Sequence, residues 1–532
     1  MGGSEERSTI AVDVRRAALA GAAVALAAGA WASSQGIQLL YADTRSHLTI
    51  ARRLVDGPNR GIVQLGTVWL PLQHVLLAPL SILDPLWTSG WAGALLGALC
   101  LAIEVAALCH IATVLNGGAR LAGLLAVVLY ATNPTILAMH TTAFTEPVLY
   151  AAVLVATSGL VHWAVRDKPY SGGEMALYCG APAALAVLAR YDGWAFVVVW
   201  TACVGVMTWR RWGSRRYAAK MALCFGLPPA GAAAWWMWFN WVNFGDPLEF
   251  QRGRYSAQAQ QDVLARQGNL PDDGDLLRSM ETFARAAWAT AGWILLVAAA
   301  AGIVVVVLRA RSERGAPSPV PRVFTFVLVL TFTPAAFYVW SLFSGQVALR
   351  LGDSLGESMF NLRYGAAVIP GVVVLAASGL AAIGAGTWWR RSAALGLALC
   401  PFVALALVPG WRQVSVIEEG LEQREAGRDQ WAAAEWLGEE LDGDTLLIDD
   451  SITPMLPVIG AGLDDVVAPF SEGWDATLED PSEVSYVYVD RGNADDAITQ
   501  AIERDPGFLD GFELAAEFGP VAVYRTTEGG PS

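Results

Sequence analysis

Asp43 and His47 stand one helical turn apart in Tyr41–Arg53 (YADTRSHLTIARR), directly after the first long apolar run. A carboxylate at that boundary can take a proton from a substrate held at a membrane surface. The histidine at i+4 would share its helix face and could bond either the carboxylate or a phosphate. The structural alternatives are an N-cap for Asp43 and an ordinary amphipathic surface for His47. Glu146, in TTAFTEP, precedes Pro147 at the start of a later apolar run. It reads either as a favourable anion at a helix N-terminus or as a second acid beside Asp43. Arg190 and Asp192 interrupt another apolar stretch, where ionisable groups are costly unless paired or functional. Arg363 and Tyr364, in NLRYG, enter a late apolar run, and a guanidinium fork there suits a phosphate at headgroup level. His74, in the polar-interrupted run TVWLPLQHVLLAPLSIL, completes the substrate-side set with His47, Arg190, Asp192, Arg363 and Tyr364.

The elements that must position these residues are membrane helices. In 532 residues, 55% are hydrophobic and 22 are tryptophan, which excludes an ordinary soluble protein. Runs of about 20 apolar residues mark eleven spans, near 17–36, 89–113, 120–139, 147–165, 174–189, 192–208, 221–241, 287–308, 323–343, 364–386 and 393–410. An N-terminus resembling a signal peptide but lacking an obvious cleavage site reads as a retained signal-anchor. Short loops rich in Lys and Arg stay cytoplasmic. With residues 1–16 inside, Arg15, Arg16, Arg120, Arg166, Lys168, the Arg210–Lys220 cluster, Arg309–Arg322, Arg390 and Arg391 all fall on one side. The break at Arg190 is needed for that result. Asp43, Glu146, Arg190, Asp192, the loops 242–286 and 344–363, and the C-terminal tail then face the extracytoplasmic side.

Thr67–Leu83 holds Pro71, Gln73, His74 and Pro79, and is expected to lie in the interface rather than span. Two surface helices, 44–55 and about 70–83, would roof a long first extracytoplasmic loop, 37–88. The 242–286 loop is too polar to span and, at that length, is expected to be functional or disordered. Ala316–Pro321 reads as a cytoplasmic turn. Glu104 and His110 read as helix–helix polar contacts, and the six cysteines, all inside apolar runs, as small hydrophobes with no disulfide or zinc framework.

From Trp411 onward there are 28 acids, six arginines and no lysine, so the tail carries a balance of −22 and residues 1–410 about +8 of the net charge of −14. No nucleic-acid partner is expected. Residues 411–532 read as a small soluble α/β domain: helix 431–441, strand 445–448, strand 484–489, helix 494–504 and a strand pair at 512–518 and 521–525. Asp449–Asp450 and Asp464–Asp465 read as solvated acids, with a hard cation as the alternative.

The segments YADTRSHLTIARR, GTVWLPLQHVLLAPL, TTAFTEP, LARYDGW, GDPLEF and NLRYG, in this order and on one side, resemble the GT-C superfamily of integral-membrane glycosyltransferases. Within it, the likeness is to the protein mannosyltransferase and aminoarabinose transferase-like branch, over roughly residues 15–410. The resemblance implies a GT-C-like membrane domain at 17–410, a polyprenyl-phosphate-linked sugar donor among membrane lipids, and a lipid, glycan or protein acceptor. It implies Asp43 as the catalytic base, with inversion at the sugar and Arg363, joined by Arg190 or His47, on the departing phosphate. Thr44 stands where many relatives carry a second acid, which leaves open a divalent cation and a catalytic role for Glu146. The rival expectations are a multi-pass lipid or solute carrier, which would favour paired repeats, and a scaffold for the acidic tail.

Overall fold

The computed structural model describes residues 4–253, 256–266, 270–312, 319–352, 358–407 and 410–527. Ala316–Ser318 of the proline-rich turn lie outside them. Eight helices among the described residues are long and apolar enough to cross a membrane, and a ninth crossing is a bent pair. Two more long helices, Arg215–Phe244 and Trp388–Leu407, stand where the seventh and eleventh spans are expected.

Three spans differ from the expected continuous rods. The third bends by 65° between Arg120–Ala131 and Pro134–His140, because Pro134 cannot continue the hydrogen-bond ladder and Asn133 instead caps the second piece by accepting from the Ile136 amide. The expected span 287–308 is divided at Gly292, whose φ of 79° favours glycine. Before it lies an amphipathic helix, Leu276–Ala291, and after it the membrane helix Trp293–Ser312. The tenth begins as a 3₁₀ turn, Leu362–Val368, before the α-helix Ile369–Ile383.

The first loop carries the two expected helices, Ala42–Arg53 and Leu72–Ser81, plus a short third, Asp84–Thr88. It is packed rather than spread over a surface: eight of the twelve residues of Ala42–Arg53 are buried. Among the basic residues of the short loops, Arg120 pairs with Asp13 and Arg211 donates to the Arg166 carbonyl.

The tail forms a five-stranded sheet of order β2-β1-β3-β5-β4, with β1 Leu446–Leu447, β2 Val466–Val467, β3 Tyr486–Asp490, β4 Phe512–Phe518 and β5 Val521–Thr526. The β2-β1-β3 pairs are parallel and the β3-β5-β4 pairs antiparallel. Alternation explains why β3 is buried throughout. Val487 and Val489 face Ile498 and Ala501 of the helix Ala497–Arg504, while Tyr486 and Tyr488 join a cluster continuous with Trp431, Tyr41, Leu48 and the membrane helices. The tail is therefore seated on the first loop by a shared apolar core, and a helix preceding its first expected element, Ser415–Ala426, lies within that seam.

Candidate active site

Asp43 lies in the first turn of Ala42–Arg53, but the N-cap is Tyr41 and no side chain caps this helix. The capping alternative is thus replaced by an ion pair. Arg363, in the 3₁₀ turn of the tenth span, donates from Nη2 to Asp43 Oδ2 and from Nε to Glu146 Oε1, the latter at 3.1 Å. Arg190 Nη1 meets the same Glu146 oxygen at 3.0 Å, and its Nε meets Asp192 Oδ1 at 3.3 Å. Tyr338 closes the chain, accepting from Arg190 Nη2 at 3.1 Å and donating to Asp192 Oδ2 at 3.0 Å. Thr145 Oγ1 accepts from Arg190 Nη1 at 2.6 Å. The expected mutual pair of Arg190 and Asp192 exists, but as part of this longer network.

Aromatic rings hold the guanidinium planes. Arg363 Cζ lies 4.7 Å from the Phe144 ring centroid, 5.3 Å from Tyr364 and 5.6 Å from Tyr41. Tyr364 stacks on Tyr338 with centroids 4.9 Å apart, and Arg190 Cζ lies 5.4 Å from the Tyr364 ring centroid. Glu146, Asp192 and Arg363 are buried, whereas the Asp43 side chain keeps 39% of its surface exposed. Asp43 is therefore the carboxylate of this network that is open to solvent.

His47 and His74 are set apart from the network. They bond to each other, Nδ1 to Nε2 at 2.9 Å, with Trp69 against the His47 ring at 4.6 Å. Burial pushes His47 down to about 4 despite the opposing pull of the Asp43 charge. Burial, and next the neighbouring His47, hold His74 well below its ordinary value. Both shifts favour the neutral imidazoles.

Glu104 does make a helix–helix contact: its Oε2 meets His140 Nε2 at 2.9 Å while His140 Nδ1 donates to the Ile136 carbonyl at 2.7 Å. His110 bonds Ser158 at 2.8 Å. The six cysteines are unpaired. Asp449 accepts from Ser451 and the Ala497 amide, and Asp450 from the Met455 and Leu456 amides. Among the described residues no group of three or more His, Cys, Asp or Glu is arranged to hold a metal ion.

Sequence reasoning missed Tyr338 and Thr145. Tyr338 sits in the apolar string AFYVW, where a hydroxyl in need of a partner was the available signal. Thr145 adjoins Glu146 and carried none.

The structure of ArnT from Cupriavidus metallidurans bound to undecaprenyl phosphate matches with a TM-score of 0.53 at 14% identity, over 97% of this chain and 99% of that one. The chain has the GT-C fold. The apo structure of the same ArnT gives a TM-score of 0.47 at 14% identity, over 88% of this chain and 89% of that one. The Archaeoglobus fulgidus oligosaccharyltransferase in complex with zinc and sulfate gives 0.42 at 12% identity, over 88% and 68%. No protein-family model and no curated protein matches the sequence. The network lies where the first loop and the fourth, sixth, ninth and tenth spans meet, with Arg190 at the break between the fifth and sixth.

Proposed function

We propose that this chain is a membrane glycosyltransferase. It moves a sugar from a polyprenyl-phosphate-linked donor to an acceptor hydroxyl on the extracytoplasmic face, with inversion. In this reading residues 1–16 are cytoplasmic, 17–410 form the transmembrane domain with its first loop at 37–88, and 411–532 are extracytoplasmic. The observation that carries it is the single guanidinium of Arg363, joined to the half-exposed Asp43 on one side and anchored by buried Glu146 on the other.

The reaction moves charge in a way this arrangement suits. Asp43 takes the proton of the acceptor hydroxyl as that oxygen bonds to the anomeric carbon. The bond from that carbon to the phosphate oxygen breaks, and the donor's phosphodiester leaves as a phosphate monoester. One negative charge is thereby lost from Asp43 and one gained on the phosphate. Arg363, set between them, stabilises the charge at both ends without moving, the preorganised electrostatic help that is often the largest catalytic term. Glu146, buried and shared by two arginines, is a holding group for both guanidiniums. Arg190 and Tyr364 line the phosphate side with it, and Asp192 orients Arg190.

The test is sugar transfer from a panel of short-chain polyprenyl-phosphate sugars by purified wild type and Asp43→Asn. Loss of a general base costs about 10²–10⁴-fold in turnover. Equal activity in the two proteins removes Asp43 from the mechanism. A wild type that moves the intact donor between leaflets without breaking it returns the carrier reading.

A further inference from the structure

We propose that Glu419, in the tail, is a positioning residue that holds Arg363 opposite Asp43, so that the tail completes the membrane site. This rests on the transferase reading above. Glu419 is fully buried, and its two oxygens accept the backbone amides of Asn361 at 2.8 Å and Leu362 at 3.1 Å, the residues immediately before Arg363. From the same helix, Glu422 accepts the Met359 amide at 2.9 Å.

The need for such a clamp is local. Asn361 has a φ of 58°, the one positive value at a non-glycine position among the described residues. Conformations of this kind persist where surroundings over-determine them. Here the Asn361 amide is taken by Glu419 and its side-chain amide by the Ala348 carbonyl at 3.0 Å.

The same helix also holds the other partner of the pair. The Val416 carbonyl accepts from the Tyr41 hydroxyl at 2.7 Å, and Gln423 Oε1 accepts from the Ala42 amide at 3.3 Å. Val416, Glu419 and Gln423 are spaced three and four apart, one face of a helix. One face of Ser415–Ala426 thus grips the residues before Asp43 and those before Arg363, and sets the separation of the two side chains. Gly420 on this helix lies against Leu40 and Tyr41 so closely that an added Cβ would stand 3.0 Å from each.

The experiment compares Glu419→Ala and Glu419→Gln, alone and in an Arg363→Ala background, in the full-length protein. Misplacement of a catalytic group by about 1 Å costs on the order of 100-fold, so Glu419→Ala is expected to lower kcat by roughly 10–100-fold. Glu419→Gln, which keeps one acceptor oxygen, recovers part of the loss. In the Arg363→Ala background the further loss disappears, because Glu419 acts only through Arg363. Losses that multiply equally in both backgrounds, or a Glu419→Ala enzyme as fast as wild type, overturn the assignment. Amide exchange across residues 358–364 supplies a readout free of turnover, and it is expected to accelerate in both Glu419 variants. If wild type transfers no sugar, the transferase reading fails by itself. The clamp is then upheld by accelerated exchange and overturned by unchanged exchange.

Discussion

Arg363 donates its Nη2 hydrogen to Asp43 across 320 positions of sequence, joining the first loop to the tenth span. Its Nε is spent on Glu146, so the two carboxylates use different edges of one planar fork. A compact ammonium cannot reproduce that geometry.

Replacement of Arg363 should therefore separate stability from chemistry. Arg363→Ala leaves Glu146, which is buried, with Arg190 as its remaining cation, and breaking a buried pair costs about 3–5 kcal/mol. Unfolding in detergent is expected to shift to clearly lower temperature. Arg363→Lys should recover much of that shift yet remain about 100-fold or more below wild type in kcat, by analogy with loss of one oriented donor to a developing anion. Thermal unfolding and turnover of the two variants, measured together, check this; equal turnover for Lys and Arg contradicts it.

Gly365 lies two residues beyond Arg363, and a Cβ built there collides with the Ala286 backbone of the amphipathic helix Leu276–Ala291. Gly365→Ala is expected to lower both the unfolding temperature and the kcat, since the 3₁₀ turn carrying Arg363 must shift to relieve the clash. Ala286 offers main chain rather than a movable side chain, so repacking gives little relief. Wild-type kcat in Gly365→Ala would show that the turn tolerates the displacement.

Asp450 gives a pH dependence of defined sign. Burial raises its carboxyl from 3.8 to about 7, against the lowering effect of the Leu456 and Met455 amides and of Arg53 and Arg45. A carboxyl with a raised folded-state value contributes stability that is full below its unfolded value and lost as pH rises through the folded one. That contribution is therefore present near pH 4 and largely gone by pH 8. Asp450→Asn keeps an acceptor for the two amides but does not titrate. The advantage of Asp450→Asn in unfolding temperature should grow from pH 5 to pH 8; a gap that is flat with pH would refute the assignment.

The membrane helices, the first-loop helices and most of the network were legible for one reason. Ionisable residues inside apolar runs are expensive, so Glu146, Arg190, Asp192 and Arg363 announce themselves, and their convergence is the arrangement that offsets the cost. The histidines illustrate where that reasoning ends. His47 shares a helix with Asp43, but which face turns to the network is decided by Trp69 and His74 on a different element. Glu419 was invisible for a related reason: in a tail with 28 acids, one more acid carries no signal, and its distinction comes entirely from burial against two amides of a distant turn. β1 falls inside the expected strand 445–448, whereas β2, two residues long, is too short for alternation to register and was not anticipated.

The seam between tail and first loop also bears on biosynthesis. Tyr41 emerges early from the ribosome, but its partner Val416 lies 375 residues later, and Glu419 follows still further on. No nascent chain shorter than that can make the contacts by which Ser415–Ala426 holds the residues before Asp43 and those before Arg363, so the ion pair between the first loop and the tenth span is set only when the tail arrives.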